Sequence, residues 1–206
     1  METKLIRADI VILASAHNPS IIAPQWLKDN SLIVEEPKHF VHTPEVSLFE
    51  SESFSLVVDQ ERLQIIAKNQ DEKSLRSLAN ICGNYVKLLP HIPYSALGFN
   101  FLWTVEIDKG EKLPQMGLNI NNTDLKSVFK GYKVGYGGII YAEKGSYKLK
   151  IVIEPRGVRT LVHQFNYHHE LKGILTENII KLLNDFLTRY KDSSKIIKKL
   201  YLGGEK

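Results

Sequence analysis

Three of the seven histidines in this 206-residue chain fall close together: His163, His168 and His169, with Glu170 beside them. Imidazole and carboxylate are ligand types for zinc and related metals, which need several such groups converging on one point. The surrounding residues read as a strand. Alternation sends the adjacent His168 and His169 to opposite faces, while His163 shares a face with Phe165 and Tyr167. The spacing matches no ligand motif, and no metal is assigned. A hydroxyl nucleophile and a base are offered by Ser15 or Ser20 with His17, but the glycine pattern of a nucleophile elbow and an orienting carboxylate are missing, so no catalytic residue is assigned. His17, His39, His42 and His91 lie beside prolines or in connections, where turn chemistry and exposure are expected.

The remaining reactive types read in the same direction. Cys82, the single cysteine, sits on an apolar helical stripe and is expected to be buried and inert; alone it forms no intramolecular disulfide, so a reducing, cytoplasmic setting is the default. Gly135-Tyr136-Gly137-Gly138 is glycine-rich like a phosphate loop, yet it leads into the strand-like Ile139-Ile140-Tyr141 and lacks the Lys-Ser/Thr ending, so a strand bend is the expected role. The carboxylate pairs Glu35/Glu36 and Glu50/Glu52 fall in polar connections and are expected to be solvated. No cofactor is assigned. Lys plus Arg number 27 against 23 Asp plus Glu, a net +4 that permits nucleic acid without implying it. The candidate nucleic-acid contacts are Lys148, Lys150, Arg156 and Arg159, with Phe101, Trp103, Tyr132, Tyr136 and Tyr141 as stacking aromatics. A second basic cluster, Lys191, Lys195, Lys198 and Lys199, complements a helix C-terminus.

The elements that must position these residues are legible from periodicity. Residues 8–16 form an apolar, β-branched run expected to be a central strand covered on both faces. The run from Ile10 to Ala16 is too short for a signal-peptide core or a membrane span. Pro24 to Asn30 predicts two turns of helix, residues 31–35 a short strand, and residues 36–44, with Pro37 and Pro44, an irregular loop. Strands follow at 46–48, 54–58 and 62–66, the last two as a hairpin across Asp59-Gln60-Glu61. Leu75, Leu78, Ala79, Cys82, Val86 and Leu89 line one face of a helix over 71–89, with Asn69 and Glu72 as a capping box. After Pro90 and Pro93 the series recurs: a strand at 94–108, a loop at 109–120, a short helix at 122–130, strands at 132–141, 147–153 and 160–167, and a helix from Thr176 through Tyr190 that breaks at Asp192-Ser193-Ser194.

The fold expected is therefore α+β, a single domain over 1–206 made of two pseudo-repeats, 8–89 and 94–200. Each runs strand, short helix, antiparallel meander, long helix, and together they form one curved sheet backed by two long helices. This element order resembles the tandem TATA-box-binding protein fold. A START-like sheet gripping a single C-terminal helix is the rival, and two long amphipathic helices favour the tandem form. Gln164-Phe165-Asn166-Tyr167, then Glu177 to Tyr190, with Phe54 to Ile66 for the central hairpin, is similar to a sporadically distributed family of uncharacterised bacterial α+β proteins. That resemblance supplies no catalytic residues. The expectation is a non-enzymatic protein-interaction or complex-assembly subunit of a bacterial-type system, of an adaptor, defence or toxin-immunity kind, working with a protein partner or as a homo-oligomer and not in a membrane. Nucleic-acid binding is the alternative and a lipid or small-ligand pocket the third reading. Partner contacts are expected at Trp26, Phe40, Phe49 and Leu113, which lie outside the core stripes.

Overall fold

The computed structural model describes residues 2–107, 137–157 and 159–201. They form nine strands, β1 Glu2–Ala14, β2 His39–His42, β3 Val46–Glu50, β4 Phe54–Asp59, β5 Arg62–Ala67, β6 Tyr94–Glu106, β7 Gly138–Lys144, β8 Tyr147–Pro155 and β9 Thr160–Glu170. The helices are α1 Pro24–Asp29, α2 Glu72–Leu88, α3 Thr176–Leu183 and α4 Phe186–Tyr201. All nine strands join one antiparallel sheet in the order β2-β3-β4-β5-β1-β6-β9-β8-β7. The fold is α+β, and the expected central strands, β1 and β6, lie side by side at its middle.

One face of the sheet is dry. Leu5, Ala8, Ile10 and Ile12 of β1, Leu97, Phe99, Phe101, Trp103 and Val105 of β6, and Leu161, Phe165 and Tyr167 of β9 alternate into a single core with the apolar stripes of the helices. Helix α2 rests on β1 and β5 and against α3 and α4, and α4 lies on β6. Phe186 seats the start of α4 with its ring stacked on Phe101 at 5.1 Å and edge-on to Phe99 at 5.3 Å.

Several boundaries differ from expectation for identifiable reasons. Helix α2 is capped by Asp71, whose carboxylate accepts from the Ser74 backbone N at 2.9 Å and the Ser74 hydroxyl at 2.7 Å, and not by Asn69, which lies too far upstream of Glu72. Residues 31–35 are not a strand. Ser31 turns at φ 54°, and the N–H groups of Leu32 and Ile33 both return to the Leu27 carbonyl, so the segment wraps the end of α1. The loop expected over 36–44 contains β2, because Pro37 and Pro44 flank the strand without interrupting it and β2 is the sheet's outer edge. The final helix breaks at Asn184-Asp185 and runs unbroken through Asp192-Ser193-Ser194. Ser193 is tolerated there because its hydroxyl donates to the Tyr190 carbonyl at 2.7 Å within the same helix. The loop at 109–120 and the helix at 122–130 lie outside the described residues, as does the start of the strand expected at 132–141.

Candidate binding face of the sheet

Among the described residues, helices cover the central strand β1 on one face only, where burial on both faces was expected for residues 8–16. Its other face carries Asp9, Val11 and Leu13, the last 39% exposed. Along β1 the pairing with β6 slips between Leu5 and Arg7. A bulge there turns both Ile6 and Arg7 away from the core. Arg7 then donates from Nε to Asp9 Oδ1 at 2.7 Å.

Asp9 is the centre of a polar network that crosses four strands. Besides Arg7, its carboxylate accepts from Gln64 Nε2 of β5 at 3.0 Å and from Asn100 Nδ2 of β6 at 2.9 Å. Asn100 in turn accepts from Asn166 Nδ2 of β9 at 2.7 Å. With three donors satisfying it, the carboxylate sits only 4% exposed on a face with no helix over it among the described residues. The ladder places these residues in one line: Asp9 opposes Asn100, Asn100 opposes Asn166, Asn166 opposes Lys150 of β8, and Lys150 opposes Tyr141 of β7. On the other side the row continues through Ile66, Ser55, Glu50 and His39, so it runs from edge to edge of the sheet and is polar at nearly every step. Beside it the bulge, β6, β8 and β9 enclose an open trough of about 800 Å³, floored by Leu102, Val152 and Val162 and rimmed by Arg7, Lys150 and Arg156.

The basic residues expected at the surface are exposed. Lys150 and Arg156 line the trough, Lys148 is paired with Glu170 at 2.9 Å, and Arg159 is exposed at the turn before β9. Two of the expected stacking aromatics are out of a ligand's reach. Phe101 is 1% and Trp103 5% exposed, both under α4, with Trp103 stacked on Tyr190 at 5.8 Å and its indole N–H donating to Ser193 Oγ at 3.0 Å. Tyr141 alone of the set is shown exposed, at 72%, and Tyr132 and Tyr136 lie outside the described residues. Among the expected partner contacts, Phe49 is corrected: it is 1% exposed and stacks on Phe54 inside the core, because the strand phase of β3 turns it inward. Trp26 and Phe40 are half-buried against the core, and Leu113 lies outside the described residues.

The buried histidines, His17, His163 and His169, are structural groups. His17, expected in an exposed turn, is buried; Nε2 donates to the Ile12 carbonyl at 3.2 Å, which leaves Nδ1 to accept from the Tyr85 hydroxyl at 3.0 Å. Burial lowers its pKa and keeps the ring neutral. His163 is buried beneath α4 with Nε2 2.6 Å from the Tyr201 hydroxyl, and desolvation lowers its pKa to about 4. His169 is buried on the same side against Phe99 and Tyr147, its pKa lowered by desolvation and then by the nearby Arg189 charge. His168 faces the opposite way, so the three do not converge, and no group of three or more metal-ligating side chains occurs among the described residues. Cys82 is buried, and burial pushes its thiol pKa up. Gly137 permits a close approach: a Cβ there would lie 1.8 Å from the Ile153 carbonyl oxygen.

Asp9, Gln64, Asn100 and Asn166 were not singled out by the spacing of reactive residues. Their signal was of another kind: each is a polar residue with an apolar or aromatic neighbour on either side within a strand, as in Ala-Asp-Ile, Phe-Asn-Phe and Phe-Asn-Tyr. No protein-family model and no curated protein sequence matches this chain. No helix among the described residues is long and apolar enough to cross a membrane.

Proposed function

We propose that this chain is a non-enzymatic protein-interaction or complex-assembly subunit of the bacterial cytoplasm, and that the sheet face with no helix over it among the described residues is the surface that meets the partner. The observation that carries the reading is the make-up of that face. A fixed polar row lies beside exposed or half-exposed apolar residues, Ile6, Leu102, Val152, Ile139 and Tyr141. Protein interfaces combine apolar patches and oriented hydrogen-bonding groups in this way. In the same reading the halves 8–89 and 94–200 are pseudo-repeats that meet at β1 and β6 and share a curved sheet.

Nucleic-acid binding is the second reading, favoured by the three cations around the trough. Against it stand the burial of Phe101 and Trp103 and the pairing of Lys148 with Glu170, which remove two of the expected stacking surfaces and engage one of the expected phosphate contacts. The test is site-specific photo-crosslinking in the native host. A crosslinker replacing Val152 on the open face should form a discrete adduct with one protein, and the same group replacing Lys181 on α3 should not. An adduct with nucleic acid, or equal capture from both sites, refutes the proposal.

A further inference from the structure

The trough on the open face has a charge imbalance that specifies what it receives. Its charged lining consists of Arg7, Lys150 and Arg156 against the single carboxylate of Asp9. Asp9 is ion-paired with Arg7 at 2.7 Å and also accepts from Gln64 and Asn100, so it offsets the Arg7 charge and leaves Lys150 and Arg156 as the remaining cations of the trough. Arg7 spends Nε on that contact and remains 45% exposed, and Lys150 is in cation–π range of Tyr141, 6.0 Å from the ring centre. At the far end Arg156 lies 3.9 Å from Glu154, an exposed ion pair that solvent screens. Between the cations the lining mixes Leu102 and Val152 with Thr104, Thr160 and Gln164, and Glu154 follows Val152 on the same face of β8.

The spacing adds a constraint. Lys150 and Arg156 are separated by six positions along β8 and its end, a distance of about 20 Å at the rise of an extended chain. A peptide lying in the trough meets a cation near each end and the side chains of Leu102 and Val152 between them. A compact anion meets only one of the two.

We infer that the trough is the docking site for an extended segment of a partner protein that carries two acidic side chains about six residues apart with apolar residues between them, the acids engaging Lys150 and Arg156 and the apolar side chains covering Leu102 and Val152. The inference rests on the proposed protein-interaction role and names its chemistry. Arg7, ion-paired with Asp9, lines the opposite wall.

The test uses the full chain, immobilised and panned against a display library of random dodecapeptides. Enriched peptides should share two acids about six residues apart around apolar residues. A peptide synthesised from that consensus, followed by fluorescence anisotropy, should bind the K150Q/R156Q variant at least about tenfold more weakly. Charge reversal supplies the complement: K150E/R156E should lose the acidic peptide and gain its lysine-substituted counterpart. Both side chains are exposed and outside the core, so thermal melting should be unchanged and a loss of binding is not a loss of fold. Enrichment of peptides without acids, no enrichment at all, or equal affinity for K150Q/R156Q overturns the inference, as does displacement of the peptide by a thymidine oligonucleotide whose own affinity falls steeply with salt. The two levels separate cleanly: a protein adduct from position 152 that survives K150Q/R156Q undiminished leaves the interaction face standing and removes the acidic-segment assignment.

Discussion

Asp9 illustrates how one side chain organises a sheet surface. Its carboxylate holds Arg7, Gln64 and Asn100 in fixed orientations, and through Asn100 it orients Asn166. Asp9→Ala strands three donors at once and is expected to lower stability by about 2 kcal/mol, read as a shifted urea midpoint at constant slope. Removing the exposed Lys28 of the Lys28–Glu36 pair should leave the midpoint where it was. A second residue-scale expectation concerns acid. His163 has a folded-state pKa of about 4 against an ordinary 6.5, so between those values the unfolded chain takes up a proton that the native state excludes. The stability contributed by the neutral ring is whole above about pH 6.5 and is lost as the pH falls toward 4, by up to about 3 kcal/mol. Burial shifts His17 and His169 the same way. Melting temperatures between pH 7.5 and 4.5 should therefore fall steeply for the native chain and less steeply for His163→Phe, and parallel curves for the two would refute the assignment. The candidate site was only partly legible in the sequence. Lys150 and Arg156 were found because charge is visible wherever it occurs, whereas Phe101 and Trp103 were misplaced because a charged or aromatic residue in a strand does not announce which face it occupies until the phase of the whole sheet is known.

At the scale of elements, periodicity identified what local physics controls. The stripe Leu75, Leu78, Ala79, Cys82 and Val86 gave α2, and the alternation in 46–66 gave the β3-β4-β5 meander with its turns, because both patterns report a single buried face. What it missed was settled by contacts distant in sequence. The break in the final helix is the clearest case: Asp192-Ser193-Ser194 is poor helix sequence, yet Trp103 of β6, 90 positions away, donates its indole N–H to Ser193 Oγ and makes the serine a buried anchor. The break falls instead at Asn184-Asp185, where the Asp185 N–H closes a tight turn on the Leu182 carbonyl at 2.9 Å. Ser193→Ala removes the acceptor and leaves the buried indole N–H without a partner, at an expected cost of about 1–3 kcal/mol. Hydrogen exchange should show the loss concentrated in α4, with β3 and β4 protected as before. Exchange that rises uniformly through the sheet would show that Trp103 and Ser193 do not anchor the helix locally.

For the whole molecule the decisive pairing is β1 with β6. These strands come from the two halves of the chain and are matched over Glu2 to Ala14 and Tyr94 to Glu106, the full length of each. Their inward residues, Ile10 and Ile12 on one and Phe99 and Phe101 on the other, belong to the same core, and α2 from the first half packs directly on α3 and α4 from the second. Separating the halves would expose two long, apolar strand edges together with the flanks of three helices, a state far costlier than unfolding either half alone. The chain is therefore expected to unfold in one transition. Calorimetry should give a single peak whose calorimetric and van't Hoff enthalpies agree. Phe186→Ala, which empties a fully buried ring site at the α4–β6 contact, should lower that one peak by about 3–5 kcal/mol of stability. Tryptophan fluorescence offers an internal check, since Trp26 reports the first half and Trp103 the second. Coincident melting of Trp26→Phe and Trp103→Phe variants, each compared with its own circular dichroism, supports one cooperative unit, while two resolved transitions, with Phe186→Ala moving only the one that Trp103 reports, would show that the halves fold separately and that the sheet is joined only after each has formed.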